Sequence, residues 1–329
     1  MAYAVIARQP GGTEVLERIN LAPPVARAGE VLIRHTAIGV NFIDTYFRSG
    51  LYPWPVEENL VLGSEAAGVI EELGVNVSGF KLGDRVAYTV PNGAYVTHRA
   101  IEARHLVKLP ESISDEVAAA SMLKGLTAHY LLHRSYVPER GQTVLFHAAA
   151  GGVGLIAGQW LADKGVTAIG TAGGPEKCAL AAKHGYAHTI DYKSEDFVAR
   201  TKEITKQLDN AQGVDAVYDS VGKDTYPGSL NCLKIFGKLI NFGQSSGPAL
   251  DFKLSDLAVG SFTVTRPVLF HFTAQPGYLQ SAANELFAMI ARGALKIKIN
   301  QKFSLSDVSS AHMQLESRKT TGSTILIPD

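Results

Sequence analysis

At 329 residues the chain is long enough for two domains of the common ~150-residue size. Hydrophobic residues at 46% and charged residues at 19% exclude a disordered chain. Lys plus Arg equals Asp plus Glu at 31 each, which leaves no net basic field to hold nucleic acid. No apolar span of ~20 residues is present, and Met1–Arg8 lacks the apolar core of a signal peptide, so no membrane contact and a cytoplasmic location are expected. Cys178 and Cys232 are too few for a four-cysteine zinc site and read as small buried hydrophobes of a reducing compartment.

Up to about residue 120 the chain reads as short strands bounded by Gly and Pro: Val31–Ile38, the stretch between Gly63 and Gly74, and Gly83–Tyr88. Such a series predicts a barrel-like β domain. From Ser121 strand and helix signals alternate. Strands are predicted at Thr143–His147, Val166–Gly170, His188–Ile190, Ala216–Tyr218, Lys238–Phe242 and Phe262–Thr265. Between the first two, Val153, Ile156, Ala157, Trp160 and Leu161 share one helix face that can stop at Gly165. This alternation predicts a doubly wound parallel sheet. The tail holds one helix striped by Leu279, Ala283, Leu286, Phe287 and Ile290, and a second capped by Ser306 and running through Val308, Ala311 and Leu315. Its closing strand, Ser323–Ile327, needs a sheet, so the tail is expected to return to the N-terminal domain.

The segment Thr143–Leu155 is the most informative. An apolar strand runs into Ala149-Ala150-Gly151-Gly152-Val153-Gly154 and then into a helix, the layout of a dinucleotide-binding turn. Gly151 would admit a pyrophosphate to the backbone and Gly154 would let the helix pack closely, while the helix N-terminus suits an anion. Ala149 replaces the first glycine of the strict pattern, and a tight turn that binds nothing is the competing reading.

Several strings carry a resemblance: Asn41-Phe42-Ile43-Asp44-Thr45-Tyr46, Gly50-Leu51-Tyr52-Pro53, Gly63-Ser64-Glu65-Ala66-Ala67-Gly68, Leu123-Lys124-Gly125-Leu126-Thr127-Ala128, the glycine turn, Val217-Tyr218-Asp219-Ser220-Val221-Gly222 and Phe242-Gly243-Gln244-Ser245-Ser246-Gly247. Together they resemble the NADPH:quinone oxidoreductase, zeta-crystallin-like branch of the medium-chain dehydrogenase/reductase superfamily. The resemblance implies an α/β chain: a GroES-like β-barrel catalytic domain from residues 1–122 and 266–329, and a Rossmann domain from residues 123–265. It implies reduction of a small quinone by hydride transfer from NADPH, without metal, in a cleft between the domains. Reduction of activated C=C bonds in enones or enoyl substrates is the alternative. A homodimer through the edge strand near Ser261–Thr265 is expected, and nucleic acid is not an expected partner.

The zinc alcohol dehydrogenases of this superfamily carry a cysteine near Asn41 and a Gly-His-Glu where this chain has Gly63-Ser64-Glu65. Asn41 and Ser64 are poor zinc ligands, and the ten histidines read as surface or capping residues, so no zinc is expected. NAD-preferring domains place an acid about 20 residues after the glycines to hold the ribose 2′-hydroxyl. Thr171 and Ala172 stand there instead, followed by Gly173, Gly174 and Lys177, which predicts NADPH. The resemblance adds Tyr192 beside the same 2′-phosphate and Arg318 from the tail. It implies cofactor contacts from Asn41, Phe42, Ile43, Asp44, Thr127 and Tyr130. Further contacts are implied from Ala150, Gly151, Gly152 and Val153, and from Ser220, Phe242, Gly243, Gln244, Ser245 and Ser246. Asn41, Tyr46, Tyr52 and Thr127 are the catalytic candidates. Asn41 either holds the nicotinamide ribose or is a turn asparagine bonded to its own backbone. Tyr46 and Tyr52 either stack on or bond to a quinone or are core tyrosines, with Tyr52 placed on a mobile rim.

Overall fold

The computed structural model describes residues 2–208 and 213–329. It forms two compact units, one of Met1–Lys124, Thr273–Ala291 and Ile297–Asp329, the other of Gly125–Phe272 and Arg292–Lys296.

The long strand Glu30–Val40 is the axis of the first unit. It pairs antiparallel with Glu65–Leu73 along one edge, and with His98–Glu102 and then Ser323–Ile327 along the other. Irregularities at Leu32/Ile33 and His35/Ala37 let it bend between these partners. The sheet continues through Arg85–Thr89 and Leu106–Lys108, and Ile299–Ser304 joins Ser323–Ile327 in parallel. A smaller sheet of Leu16–Leu21, Ala2–Ala7 and Leu60–Val61 lies beside it. Residues 95–97 stitch the two together: Val5 N–H donates to Tyr95 O at 2.8 Å, Thr97 N–H to Tyr3 O at 3.0 Å and His35 N–H to Thr97 O at 2.9 Å. Ile33, Ile38, Leu62, Val86 and Tyr88 fill the interior of this β-rich unit, which the series of short strands predicts.

The tail returns to this sheet as expected, with Thr324 to Leu326 opposite Val40 to Ile38. Helix Tyr278–Ala291 buries Leu279, Ala283, Leu286 and Phe287, with Met289 rather than Ile290 completing the stripe. The cap expected at Ser306 is displaced. Ser304 accepts from Ser306 N–H and opens a 3₁₀ turn, Leu305–Asp307, so the α-helix begins only at Val308.

The second unit is a six-stranded parallel sheet ordered His188–Asp191, Thr167–Ala172, Thr143–Phe146, Val214–Asp219, Leu233–Asn241, Thr263–Thr265. Every predicted strand is present. Thr143–Phe146 and Val214–Asp219 are buried along their whole length, as helices on both faces require. Trp160 is a core residue of helix Gly152–Asp163. Strand order reverses between Thr143–Phe146 and Val214–Asp219, and in open sheets of this kind ligands bind beyond the strand ends at such a reversal. Of the cysteines, Cys232 is buried and Cys178 only partly so; both are free thiols.

Candidate active site

In the second unit the turn after Thr143–Phe146 lies at that reversal. Ala148 adopts a left-handed φ of 55°, and Ala149 N–H donates to Thr171 O at 2.9 Å, so the neighbouring strand holds the turn in shape. Gly154 is required by close approach. A Cβ there would lie 2.5 Å from Ala148 O and 2.6 Å from Ala149 O, which fits the expected tight packing of helix on turn. Gly151 caps the helix at an ordinary φ of −77°. Leu155 N–H reaches Gly151 O at 2.9 Å, so the amides of Gly152, Val153 and Gly154 form the helix end, a donor set suited to a pyrophosphate.

Beneath this turn lies a buried polar network. Ser229 donates to Asp219 Oδ2 at 3.0 Å and stands 3.0 Å from His147 Nε2, while His147 Nδ1 stands 2.9 Å from Thr171 Oγ1. Asp219 also accepts from Val221 and Gly222 N–H at 2.8 and 3.0 Å, which fixes the turn carrying Ser220. Ser245 N–H and Ser246 N–H then bond Ser220 O and Val221 O at 3.2 and 2.9 Å, bringing the Phe242–Ser246 loop to the same strand ends. Phe242 packs 5.7 Å from Phe146, and Gly243 abuts Ser220.

At the end of Thr167–Ala172 no carboxylate is presented; Thr171 and Ala172 are buried. Gly174, at a φ of 102°, opens the helix Pro175–Ala182 on which Lys177 stands partly buried and Glu176 exposed. Tyr192 lies beside Gly173, where a Cβ would come within 2.6 Å of its hydroxyl oxygen. Burial, and then the charge of Lys193, lower the pKa of the Lys177 ammonium. The chemistry of this corner, with small residues, cations and no free acid on the strand end, fits a 2′-phosphate. On the helix Asp115–Tyr130, Thr127 is buried and Tyr130 stacks on Phe272 at 4.7 Å.

In the first unit Asn41 precedes the helix Phe42–Arg48 and is 6% exposed. Its side-chain amide donates to Glu65 Oε1 at 2.9 Å, and Asn41 opens the helix in a capping box with Asp44. Glu65 is fully buried and takes two further donors: Lys124 Nζ at 2.7 Å and Leu123 N–H at 2.6 Å. A buried carboxylate needs such compensation, and an internal ammonium supplies it. One of the two amide N–H donors of Asn41 is thus taken by Glu65, and the side chain also carries a carbonyl acceptor. Tyr46 and Tyr52 meet at 5.3 Å between ring centroids, flanked by Phe42 and Phe47. In the Tyr52 loop, Tyr52 N–H donates to Tyr46 O at 3.0 Å and the Trp54 indole to Phe47 O. Ile43 is half-buried on the same helix.

Asp44 is fully buried, and its carboxylate faces protein donors: Asn41 N–H and the Tyr95 hydroxyl on Oδ2 at 2.8 and 2.9 Å, and Ser64 on Oδ1 at 2.7 Å. Burial raises its pKa to about 6 against these hydrogen bonds. Behind Tyr95 the chain of partners runs on. Arg48 can only donate, so His312 Nδ1, 3.1 Å away, accepts; Nε2 then carries the proton and donates to Tyr95 at 2.9 Å. Arg48 also forks onto Glu316 at 3.0 and 2.6 Å. Arg318 follows two residues later, exposed and at a left-handed φ of 57°.

The donor set around Asn41 does not fit a zinc ion. Glu65 already holds an ammonium, and Asn41 and Ser64 turn their donors to carboxylates. The expectation that the histidines are surface or capping residues is corrected: His35, His129, His147, His184 and His312 are buried. Each of His35, His147, His184 and His312 is satisfied internally by a carbonyl, hydroxyl or guanidinium. Sequence reading missed Glu65, Lys124, Tyr95, His312 and Arg48, although Glu65 and Lys124 stand inside two of the strings that carry the resemblance.

A β-rich unit joined to a doubly wound unit with a glycine turn at its switch point defines a nicotinamide-dependent dehydrogenase or reductase of the medium-chain class. Residues 27–111 match the Alcohol dehydrogenase GroES-like domain and residues 184–326 the Zinc-binding dehydrogenase profile. The chain is 49% identical to a quinone oxidoreductase of Pseudomonas aeruginosa over 320 residues, 97% of each chain. It is 40% identical to a 2-haloacrylate reductase of a Burkholderia species over 338 residues, 100% of this chain and 99% of that one. The solved structure of Escherichia coli quinone oxidoreductase complexed with NADPH superposes with a TM-score of 0.95 at 45% identity, covering 99% of this chain and 100% of that one. The chain belongs to the quinone oxidoreductase family of the medium-chain dehydrogenases/reductases.

Proposed function

We propose that the chain catalyses NADPH-dependent reduction of quinones. The observation that carries this reading is the Asn41–Glu65–Lys124 cluster, where an amide and an internal ion pair occupy the ground on which zinc-dependent relatives build a Lewis acid. Bound NADPH supplies the hydride. An electron-poor quinone needs no metal to accept it, and its reduced form takes protons from water. Asn41 Oδ1 holds a ribose hydroxyl so that the nicotinamide ring is oriented, a positioning effect. The aromatic group of Phe42, Tyr46 and Tyr52 provides a flat wall for the acceptor, and Thr127 is a further catalytic candidate. Gly151 to Val153 carry the pyrophosphate, and Lys177 with Tyr192 the 2′-phosphate. The likeness to a haloacrylate reductase favours a second reading, reduction of activated C=C bonds. Steady-state turnover with NADPH against quinones, enones, 2-haloacrylates and enoyl thioesters separates the two. Quinones are expected to give the highest kcat/KM, and a higher value for any C=C acceptor rejects the leading reading.

The protein is also expected to be a homodimer. Strand Thr263–Thr265 ends its sheet with one partner, and Ile235, Phe236 and Val259 beside it are 66%, 75% and 86% exposed. Phe236 N–H bonds Gly260 O at 2.7 Å, which places this apolar surface next to the edge. A second copy pairing across a two-fold axis would cover both features. Light scattering at micromolar concentration should return twice the 35.2 kDa chain mass, and a value of one chain mass overturns the assignment. Two free thiols suit a cytoplasmic setting.

A further inference from the structure

Asp191 ends the strand His188–Asp191, and backbone N–H groups are the main partners of its carboxylate, with Ser194 beside them. Oδ1 accepts from Gly174 N–H at 2.7 Å and from Lys193 N–H at 3.0 Å. Its own N–H is fixed by Glu195 at 3.0 Å, and the next residue, Tyr192, donates its N–H to Ala172 O at 3.2 Å. One oxygen atom thus ties two loops. The first is the Gly173–Gly174 turn that launches the helix bearing Lys177. The second is the Tyr192–Lys193 turn, whose phenol abuts Gly173. Lys193 follows Tyr192 directly on this second turn, and its charge joins burial in lowering the pKa of the Lys177 ammonium.

We propose that Asp191 is a positioning residue for discrimination between NADPH and NADH, holding Lys177, Tyr192 and Lys193 around one phosphate, with Lys193 as its second cation. This rests on the NADPH reading above. Selectivity follows from where the carboxylate points. An acid aimed at the ribose would accept a 2′-hydroxyl and repel a 2′-phosphate. Asp191 instead turns Oδ1 to two amides of the surrounding loops, and these bonds hold its carboxyl below the ordinary range. An asparagine at this position retains the acceptor oxygen; an alanine does not.

The test is titration of the apo-protein's intrinsic fluorescence with NADPH and with NADH, for wild type, Asp191→Ala, Asp191→Asn and Lys193→Ala. Asp191→Ala is expected to raise the NADPH Kd about tenfold with NADH within about twofold, since roughly one charge-assisted contact is misplaced. Asp191→Asn should keep the wild-type ratio, and Lys193→Ala should weaken NADPH alone by severalfold. An Asp191→Ala protein as NADPH-selective as wild type, or one weakened equally toward both cofactors, overturns the positioning role. An unchanged NADPH Kd in Lys193→Ala overturns the second cation. A wild type that binds both cofactors alike overturns the NADPH reading itself, a result the variants cannot mimic.

Discussion

Lys177→Ala is expected to raise the KM for NADPH about ten- to hundredfold and to leave that for NADH nearly unchanged, the range that follows from about 1.5–3 kcal/mol for a charge-assisted contact. Only NADPH carries a group that a cation at this corner can read. The strand Thr167–Ala172 ends in buried Thr171 and Ala172, so no carboxylate competes there for the ribose. Lys177 stands one turn into the helix Pro175–Ala182, where a dianion also meets the positive end of the helix. The ammonium has its pKa lowered by burial and by Lys193, and a phosphate that neutralises both cations relieves that strain. Steady-state kinetics with each cofactor against one quinone make the measurement. Equal losses for NADPH and NADH would show that Lys177 supports the fold of the corner rather than reading the phosphate.

The parts of this molecule that a sequence discloses are those written in local pattern. Strands such as Thr143–Phe146 and Val214–Asp219 are buried on both faces and therefore read as apolar runs bounded by turns. Their alternation with helices leaves few topologies besides the doubly wound one. The joining of the two sheets of the β-rich unit by residues 95–97 was not legible, because it depends on hydrogen bonds between Tyr3 and Thr97, 94 positions apart. The same holds at the site. Asn41 stands out because it replaces a metal ligand. Its partner Glu65 and the ammonium of Lys124 are 59 residues from each other, and each alone looks like an ordinary charged residue. Arg48 and Glu316 are 268 residues apart. The histidines were misread for a related reason. Whether an imidazole is exposed or seated against a carbonyl, as His35 is against Val96 O at 2.8 Å, has no local signature.

Those buried histidines give the second large effect. Lowering the pH from 7 to 4.5 is expected to destabilise the fold by on the order of 3–4 kcal/mol. Burial pushes His35 down to about 3, and burial with the nearby Arg48 charge does the same to His312. Both therefore stay neutral in the native state while an unfolded histidine, at about 6.5, takes up a proton. Stability is complete above that value and falls as the pH drops toward 3. At about 1.36 kcal/mol per pH unit, each histidine costs roughly 3 kcal/mol by pH 4.5. Asp44 acts in the opposite sense. Its folded pKa is raised from 3.8 to about 6 by burial, so the native state holds a proton that the unfolded chain has released between those values. Acidification to pH 4.5 returns roughly 2 kcal/mol through it, and two histidines against one carboxyl leave a net loss. His147, also lowered by burial, adds in the same direction as the histidines. Urea denaturation at the two pH values reads the difference directly. His312→Gln should be less stable than wild type at pH 7, because Arg48 and Tyr95 lose a shaped partner. It should nevertheless show a clearly shallower pH dependence, because one buried titrating group is gone. A full wild-type pH dependence in that variant would move the acid sensitivity to other residues.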